Sequence, residues 1–288
     1  MENNEKNRVL PSTLYLVGTP IGNLADISER AIKVLSEVDF IAAEDTRNSL
    51  KLLMALGIKN ELVSYHEHNK RASGERLVAR LLGGESCALI TDAGMPAISD
   101  PGEDIVRLCA DAGITVSVIP GPCAAISALA VSGLGTTRFA FEGFLSAKDS
   151  ERRKRLSELN FEERTMIFYE APHKLKNTLK DMASAFGEER KISLCREITK
   201  LNEEIKRLTL GEAVNFYSTN EPRGEYVLVV EGFSGTRVSD ELSHLLSLSP
   251  EEHVEEYVSQ GVARMDAIKK AAKDRGMSKS ELYKILNS

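Results

Sequence analysis

Cys87-Ala-Leu-Ile-Thr-Asp-Ala-Gly-Met-Pro-Ala-Ile-Ser-Asp-Pro-Gly102 decides the reading of the chain. Four apolar residues, Cys87 to Ile90, form a short run of the kind that makes a buried strand. Thr91 to Gly102 then stops it with two prolines, two glycines and small or acidic residues between them. Such a loop offers backbone N–H and C=O groups rather than long side chains, which suits a small zwitterionic ligand. The same rhythm recurs on either side. Leu14-Tyr-Leu-Val17 leads into Gly18-Thr-Pro-Ile-Gly-Asn23 and a helical stretch from Ser28 to Leu35. Asp39-Phe-Ile-Ala-Ala43 leads into Glu44-Asp-Thr-Arg47 and a helix from Ser49 to Leu56, stopped by Gly57. Val116-Ser-Val-Ile119 leads into Pro120-Gly-Pro-Cys123, whose small residues let a ligand lie against a helix start. Apolar runs alternating with helices predict βαβ units and a parallel-rich sheet. Ligands of such sheets bind at the carboxyl ends of the strands.

Past Gly133-Leu-Gly-Thr-Thr137 the rhythm changes. Phe139–Phe141, Thr165–Tyr169, Ile192–Cys195, Ile205–Leu210 and Tyr226–Val230 read as strands, with fewer helices between them, chiefly His173–Ala185 and Glu212–Tyr217. Neighbouring strands without crossover helices pair antiparallel, so the second sheet is expected to be mixed. Gly232 to Asp240 reads as a linker. Three short helices follow, at Pro250–Val258, Ala263–Arg275 and Ser278–Leu286, with Gly261 and Gly276 placed for helix C-termini and Ser278 with Glu281 for a capping box. The expected organisation is two α/β domains, residues 12–133 and 137–233, and a helix-turn-helix-like tail, residues 241–288.

The 288 residues suffice for a large core, and 42% hydrophobic with 28% charged residues excludes wholesale disorder. No run approaches the ~18 apolar residues of a membrane span. The polar start, Met1 to Arg8, has no signal-peptide core, so a cytoplasmic protein is expected. The four cysteines (Cys87, Cys109, Cys123, Cys195) have no paired spacing and are expected to pack reduced, as small apolar groups. His66 and His68 form the one His-x-His; a solvated loop that touches substrate fits their polar surroundings better than a metal site. The net charge of −6 argues against a generally basic nucleic-acid coat. It is unevenly spread, however. From Gly261 onward seven basic residues face three acidic ones, so the tail is positive on an acidic chain.

Gly18 to Asn23 lacks the Gly-Lys-Ser/Thr ending of a phosphate loop, and no G-x-G-x-x-G follows the first strand. The six stretches Gly18–Asp26, Ala43–Arg47, Thr91–Gly102, Ile119–Ala124, Phe168-Tyr-Glu-Ala-Pro-His-Lys174 and Arg196-Glu-Ile-Thr-Lys200, in this order, resemble the tetrapyrrole methylase superfamily, and within it a branch that modifies ribosomal RNA. The resemblance spans about residues 12–233. It implies two α/β domains with S-adenosylmethionine held between them, usually in a homodimer, and 2′-O-methylation of a cytidine in the decoding region of 16S ribosomal RNA. It implies a cofactor site at Pro20, Asp92, Ala93, Gly94, Ile98, Cys123 and Ala124, closed from the second domain by Glu170 and Ile198, with Tyr226 and Val227 near the adenine. Asp92 departs from the Gly-Gly-x-Asp-Pro-like loop of the tetrapyrrole enzymes, since the acidic residue has moved.

A ribose hydroxyl is a poor nucleophile until its proton begins to leave, so a nearby acceptor helps. Candidates are Glu44, Asp45, Asp100, Glu170, His173, Glu197 and Lys200, with no single one singled out. Glu44-Asp45-Thr46-Arg47 reads either as a carboxylate paired with Arg47 at a helix start or as a ribose-positioning group. Glu197 with Lys200 reads either as an ion pair or as a catalytic dyad. This chemistry requires no metal. For RNA the candidates are Arg47, Lys148, Arg152, Arg153 and, in the tail, Lys269, Lys273 and Lys279, which would give salt-dependent phosphate contacts; the alternative for Arg152 to Arg155 is a solvated helix face. Two other functions stay open on the residues: a small-molecule methyltransferase of the tetrapyrrole type, and a DNA-binding regulator resting on the tail alone.

Overall fold

The structure, a computed structural model, describes residues 7–66, 70–235 and 240–286. The first half alternates strand and helix: β1 (Thr13–Val17), α1 (Glu29–Glu37), β2 (Phe40–Ala43), α2 (Thr46–Ala55), β3 (Leu62–Ser64), α3 (Lys70–Leu82), β4 (Cys87–Ile90), α4 (Glu103–Asp111), β5 (Thr115–Ile119) and α5 (Ala124–Ser132). Its five strands lie in the order β3-β2-β4-β1-β5, every pair parallel. β2 and β4 are buried at each position, as strands covered on both faces must be. Ala31, Val34, Leu35 and Leu53 of α1 and α2 cover one face; Leu77, Leu81, Ile105 and Cys109 of α3 and α4 cover the other. Cys87, Cys109 and Cys195 are buried and all four sulfurs are unpaired. β3, α3 and α4 carry no clear signal in the sequence and come from the structure alone.

The second sheet is built from β6 (Phe139–Phe144), α6 (Asp149–Glu158), β7 (Thr165–Glu170), α7 (Pro172–Phe186), β8 (Lys191–Arg196), β9 (Glu204–Thr209), α8 (Leu210–Thr219) and β10 (Tyr226–Val230). The order is β6-β7-β10-β8-β9. β10 runs antiparallel to β7 and β8, and β8 antiparallel to β9. The sheet is mixed, as expected. The pair β6 and β7 differs: it is parallel, because α6 supplies a crossover between them. α5 is a helix of small residues whose Ala125, Ala128 and Leu129 lie on Ile167, Cys195, Val227 and Val229 of the second sheet. The helix that ends the first series therefore serves the core of the second, and the chain through Phe233 forms one compact unit.

The residues from Ser234 form a second unit with its own core; positions 236–239 of the expected linker lie outside the described residues. It holds α9 (Asp240–Ser247), α10 (Pro250–Ser259), α11 (Arg264–Asp274) and α12 (Lys279–Ile285). Val254, Ala267, Ile268, Ala271 and Leu282 meet at its centre. Gly261 and Gly276 take positive φ, and Ser278 with Glu281 forms a capping box. Arg275 is not a surface cation here: its Nε donates to Nδ1 of the buried His253 at 3.0 Å, and its Nη2 to the Leu248 carbonyl. Burial and the Arg275 charge hold the His253 pKa below its usual value. Among the described residues no helix is long and apolar enough to cross a membrane.

α6 carries the one clear correction to the RNA-facing set. Arg152 has only 4% of its side chain exposed and bonds Asp181 at 2.8 Å and Asp149 at 2.7 Å. It ties α6 to α7 and offers RNA nothing. Asp181 is itself 11% exposed, so deleting Arg152 leaves a mostly buried carboxylate that, among the described residues, Arg153 alone still pairs. Arg152→Ala is expected to cost about 3 kcal/mol in urea unfolding. A cost below about 1 kcal/mol would contradict a structural role.

Candidate cofactor cleft

Three loops leave the carboxyl ends of adjacent strands: residues 18–23 after β1, 91–102 after β4 and 120–123 after β5. They are fastened to one another by backbone. Thr19 N–H donates to the Gly94 carbonyl at 2.9 Å and Gly94 N–H to the Thr19 carbonyl at 3.1 Å. The fully buried Thr19 hydroxyl donates to the Thr91 carbonyl at 3.2 Å. Beneath this bridge Gly18 and Gly121 touch backbone to backbone. A Cβ on Gly18 would lie 2.7 Å from the Gly121 Cα, and one on Gly121 2.8 Å from the Gly18 Cα. Neither position admits a side chain unless the loops part.

The second sheet supplies the opposite wall from the ends of β7, β8 and β10. Together the walls enclose a cleft of about 460 Å3, within the usual range for a small-molecule site. Ala93, Gly94, Met95, Ile98, Ser99 and Asp100 come from the long loop, Ile21 from the first, and Cys123 and Ala124 from the start of α5. Phe144, Tyr169, Glu170, Ala171, Pro172, Cys195, Glu197, Ile198, Lys200, Glu225, Tyr226 and Val227 face them. Among the described residues five non-glycine residues hold a positive φ, and four of them lie in these walls: Ala97, Ser99, Glu197 and Thr199. Strain of this kind persists where the surroundings impose it, commonly at ligand sites.

The cleft is acidic, but most of its carboxylates are already engaged. Glu170 accepts from the Ala171 N–H at 2.8 Å and the Thr178 hydroxyl at 2.5 Å, one bond on each oxygen. Lys200 joins Glu197 at 2.9 Å and Glu225 at 2.7 Å. Burial works against the Lys200 charge, yet these bonds outweigh it and keep the ammonium protonated. The same bond holds the Glu197 carboxyl below its usual range. Asp92 accepts from the Asn48 amide at 2.9 Å. Asp100 differs: burial, with Glu44 and Asp92 nearby, pushes it up to about 6. Burial pushes the Tyr169 hydroxyl up to about 12, so it stays a donor at neutral pH.

A family model of tetrapyrrole (corrin/porphyrin) methylases matches residues 13–214, which include the lining residues of both walls except Glu225, Tyr226 and Val227. The chain belongs to the tetrapyrrole methylase family. Among curated relatives it is 50% identical over 95% of its length, and 94% of the relative's, to a protein of Halalkalibacterium halodurans named ribosomal RNA small subunit methyltransferase I. Proteins of the same name from Bacillus subtilis and Escherichia coli O157:H7 are 47% and 44% identical, each over 94% of this chain and 92% and 93% of theirs. Among solved structures the fold matches a cobalt precorrin-4 methyltransferase with a TM-score of 0.57 at 17% identity, over 76% of this chain and 95% of that one. A uroporphyrin-III-C-methyltransferase of Thermus thermophilus gives 0.55 at 21%, over 76% and 94%.

Within this methylase fold the structure gathers Asp92, Ala93, Gly94, Ile98, Cys123, Ala124, Glu170, Ile198, Tyr226 and Val227 around one cleft. Pro20 does not line it; Ile21 takes that place, because the turn points the next side chain inward. Of the base candidates, Glu170, Glu197, Lys200 and Asp100 reach the cleft, and Glu44, Asp45 and His173 do not. Asp45 caps α2, accepting from the Arg47 N–H and pairing with its guanidinium, which draws its pKa down to about 2. His173 sits exposed on the first turn of α7. His66 precedes α3, and His68 lies outside the described residues. Among the described residues no group of three His, Cys, Asp or Glu side chains is placed to hold a metal ion. The sequence missed Met95, Phe144, Tyr169 and Glu225 as lining residues; only the aromatic pair, in strands facing a ligand loop, carried a usable signal. Gly121→Ala would overpack the loop crossing and is expected to cost about 2 kcal/mol in urea unfolding. An unchanged midpoint would contradict the contact.

Proposed function

We propose that the chain transfers a methyl group from S-adenosylmethionine to the ribose 2′-oxygen of a cytidine in the decoding region of 16S ribosomal RNA. The observation that carries this is the joint one: relatives near half identical over almost the whole chain are named small subunit ribosomal RNA methyltransferases, and the cleft has the chemistry that such a donor needs. S-adenosylmethionine, when bound, supplies a methyl group on a cationic sulfur. The residues present fit it. Ile98, Ala124, Ile198 and Val227 offer apolar surface, and five carboxylates against one lysine favour a cation. The hydroxyls of Thr91 and Thr199, beside lining residues, are buried without a partner among the described residues, as polar groups awaiting a ligand would be.

The chain's own contribution is positioning. Gly18, Thr19, Gly94 and Gly121 fix the backbone that meets the donor, while Lys200 holds Glu197 and Glu225 so that the second wall keeps its shape. In-line displacement gains most from such preorganisation. RNA docking falls to exposed cations. Lys269 and Lys273 stand one turn apart on α11, and Lys279 opens α12. Lys148, just before α6, and Arg153 on it are exposed but share their charge with Glu151 and Asp181, and Arg47 is exposed beside Asp45. Exposed Val118 on the edge strand β5 and Ile126 and Val131 on α5 support a homodimer.

The test is methyl transfer from labelled S-adenosylmethionine to small subunits of a strain lacking the corresponding gene, with the product nucleoside identified by mass spectrometry. One methyl group on a cytidine ribose is expected, at a single position in the decoding region. A methylated base, or transfer to a tetrapyrrole and not to RNA, would overturn the proposal. Replacing Lys269, Lys273 and Lys279 by alanine is expected to reduce the salt dependence of RNA binding by about 2–3 in log–log slope. An unaltered slope would remove the tail from the RNA interface.

A further inference from the structure

We propose that Lys200 receives a phosphodiester of the RNA beside the target ribose, releasing Glu225 to do so; this rests on the RNA methylation proposed above. The cleft faces two opposed demands. Its five carboxylates suit a cationic donor, but they repel the backbone of the second substrate. A ribose that enters the cleft stays joined to its chain on both sides, so charged phosphates must pass over the rim. Among the described residues Lys200 is the one cation that lines the cleft. It stands at the rim rather than the floor. The floor is made of buried lining residues, Glu170, Cys195, Tyr226 and Val227. Lys200 keeps 28% of its side chain exposed and lies against the exposed Gly22 of the opposite wall.

The contacts of Lys200 are unequal, and the inequality permits the exchange. A Cβ at Gly22 would run into the Lys200 Cγ and lie 3.0 Å from its Cε, so the stem is laid along bare backbone. Glu197 is the fixed partner. It is 19% exposed, and its Oε1 accepts from Lys200 Nζ and from the Glu225 N–H, each at 2.9 Å. Its stem packs on Gly224, where a Cβ would lie 2.6 Å from the Glu197 Cγ, and its own N–H donates to the Glu225 carbonyl at 2.9 Å. The Glu225 carboxylate is the loose partner. It is 80% exposed and accepts from Lys200 Nζ at 2.7 Å. An ion pair so open to water is worth little and is screened by salt. A phosphate oxygen offers the same ammonium a charge-assisted bond in its place. The ammonium has three donors, so Glu197 keeps it aimed at the rim while the other partner changes. No covalent bond forms or breaks in this step: one ion pair replaces another, and the Glu225 carboxylate turns to solvent.

Methylation of small subunits lacking the modification is measured over a range of salt with wild type, Lys200→Gln, Lys200→Arg, Glu225→Gln and the double variant Lys200→Gln/Glu225→Gln. The donor is held at a concentration that saturates each variant, and its binding is followed separately by calorimetry. Lys200→Gln should raise the KM for the subunit about tenfold. It should also lower the dependence of KM on salt by about 0.7 in log–log slope, the value of one phosphate contact on a single strand. Lys200→Arg keeps the charge and should keep the slope. Glu225→Gln removes the competing carboxylate and should lower KM about threefold. In the Lys200→Gln background the same change should gain little, since the ion that Glu225 competes for is gone. A KM that rises or stands still in Glu225→Gln, as it would if Lys200 only braced the second wall, overturns the proposal. An equal gain from Glu225→Gln in both backgrounds, or an unchanged slope in Lys200→Gln, overturns it as well. So does a donor affinity that falls about tenfold in Lys200→Gln while KM and slope stand, which assigns the ammonium to the donor's carboxylate. A wild-type enzyme that methylates no ribosomal RNA overturns the underlying reading instead.

Discussion

The contact on which the rest of the structure depends is the one between Gly18 and Gly121, where two loops leaving β1 and β5 touch with no side chain between them. Adjacent parallel strands bring their carboxyl ends together by construction, but loops that follow them usually diverge to make room for side chains. Here they cannot. The crossing sets the height at which Thr19 pairs with Gly94, and that pairing fixes the start of the 91–102 loop. The loop in turn carries Asp92, Ile98 and Asp100 to the cleft. α5 begins directly beyond the crossing and extends it to the second sheet, since its Ala125, Ala128 and Leu129 pack on that sheet's face. One backbone contact thus leads to a cleft whose two walls come from different sheets.

Electrostatics divides the molecule in a similar way. The chain is acidic overall, five carboxylates and one lysine line the cleft, and α11 and α12 carry exposed lysines. Within the cleft the carboxylates are not equivalent. Lys200 neutralises two of them and the Thr178 hydroxyl anchors a third, so the acids differ by their partners rather than by residue type.

The most legible strands are apolar runs buried at most positions. β1, β2, β4 and β10 are continuous apolar runs, and such runs have no other stable home in a polar chain. The tail was legible for a different reason: Gly261, Gly276 and Ser278 mark helix ends through backbone geometry that few residues tolerate. β3 was not, because a three-residue strand between polar neighbours has no periodicity to detect. The site was legible as loops but not as directions. Pro20 and Ile21 are adjacent, and only the turn decides which one faces the cleft. Arg152 read as one more cation in a basic run, because its partner Asp181 is 29 residues away on the next helix. Asp100, unlike Glu170 or Glu197, is distinguished by what does not bond it, and that property is invisible in a sequence.

Amide hydrogen exchange with and without S-adenosylmethionine tests the central claim, that loops from both sheets form one site for the methyl donor. The account predicts that the donor slows exchange together at residues 19–23, 92–100, 123–126 and 197–200, and leaves α10 and α11 unchanged. Protection confined to the loops of one sheet, or none at saturating donor, would contradict it.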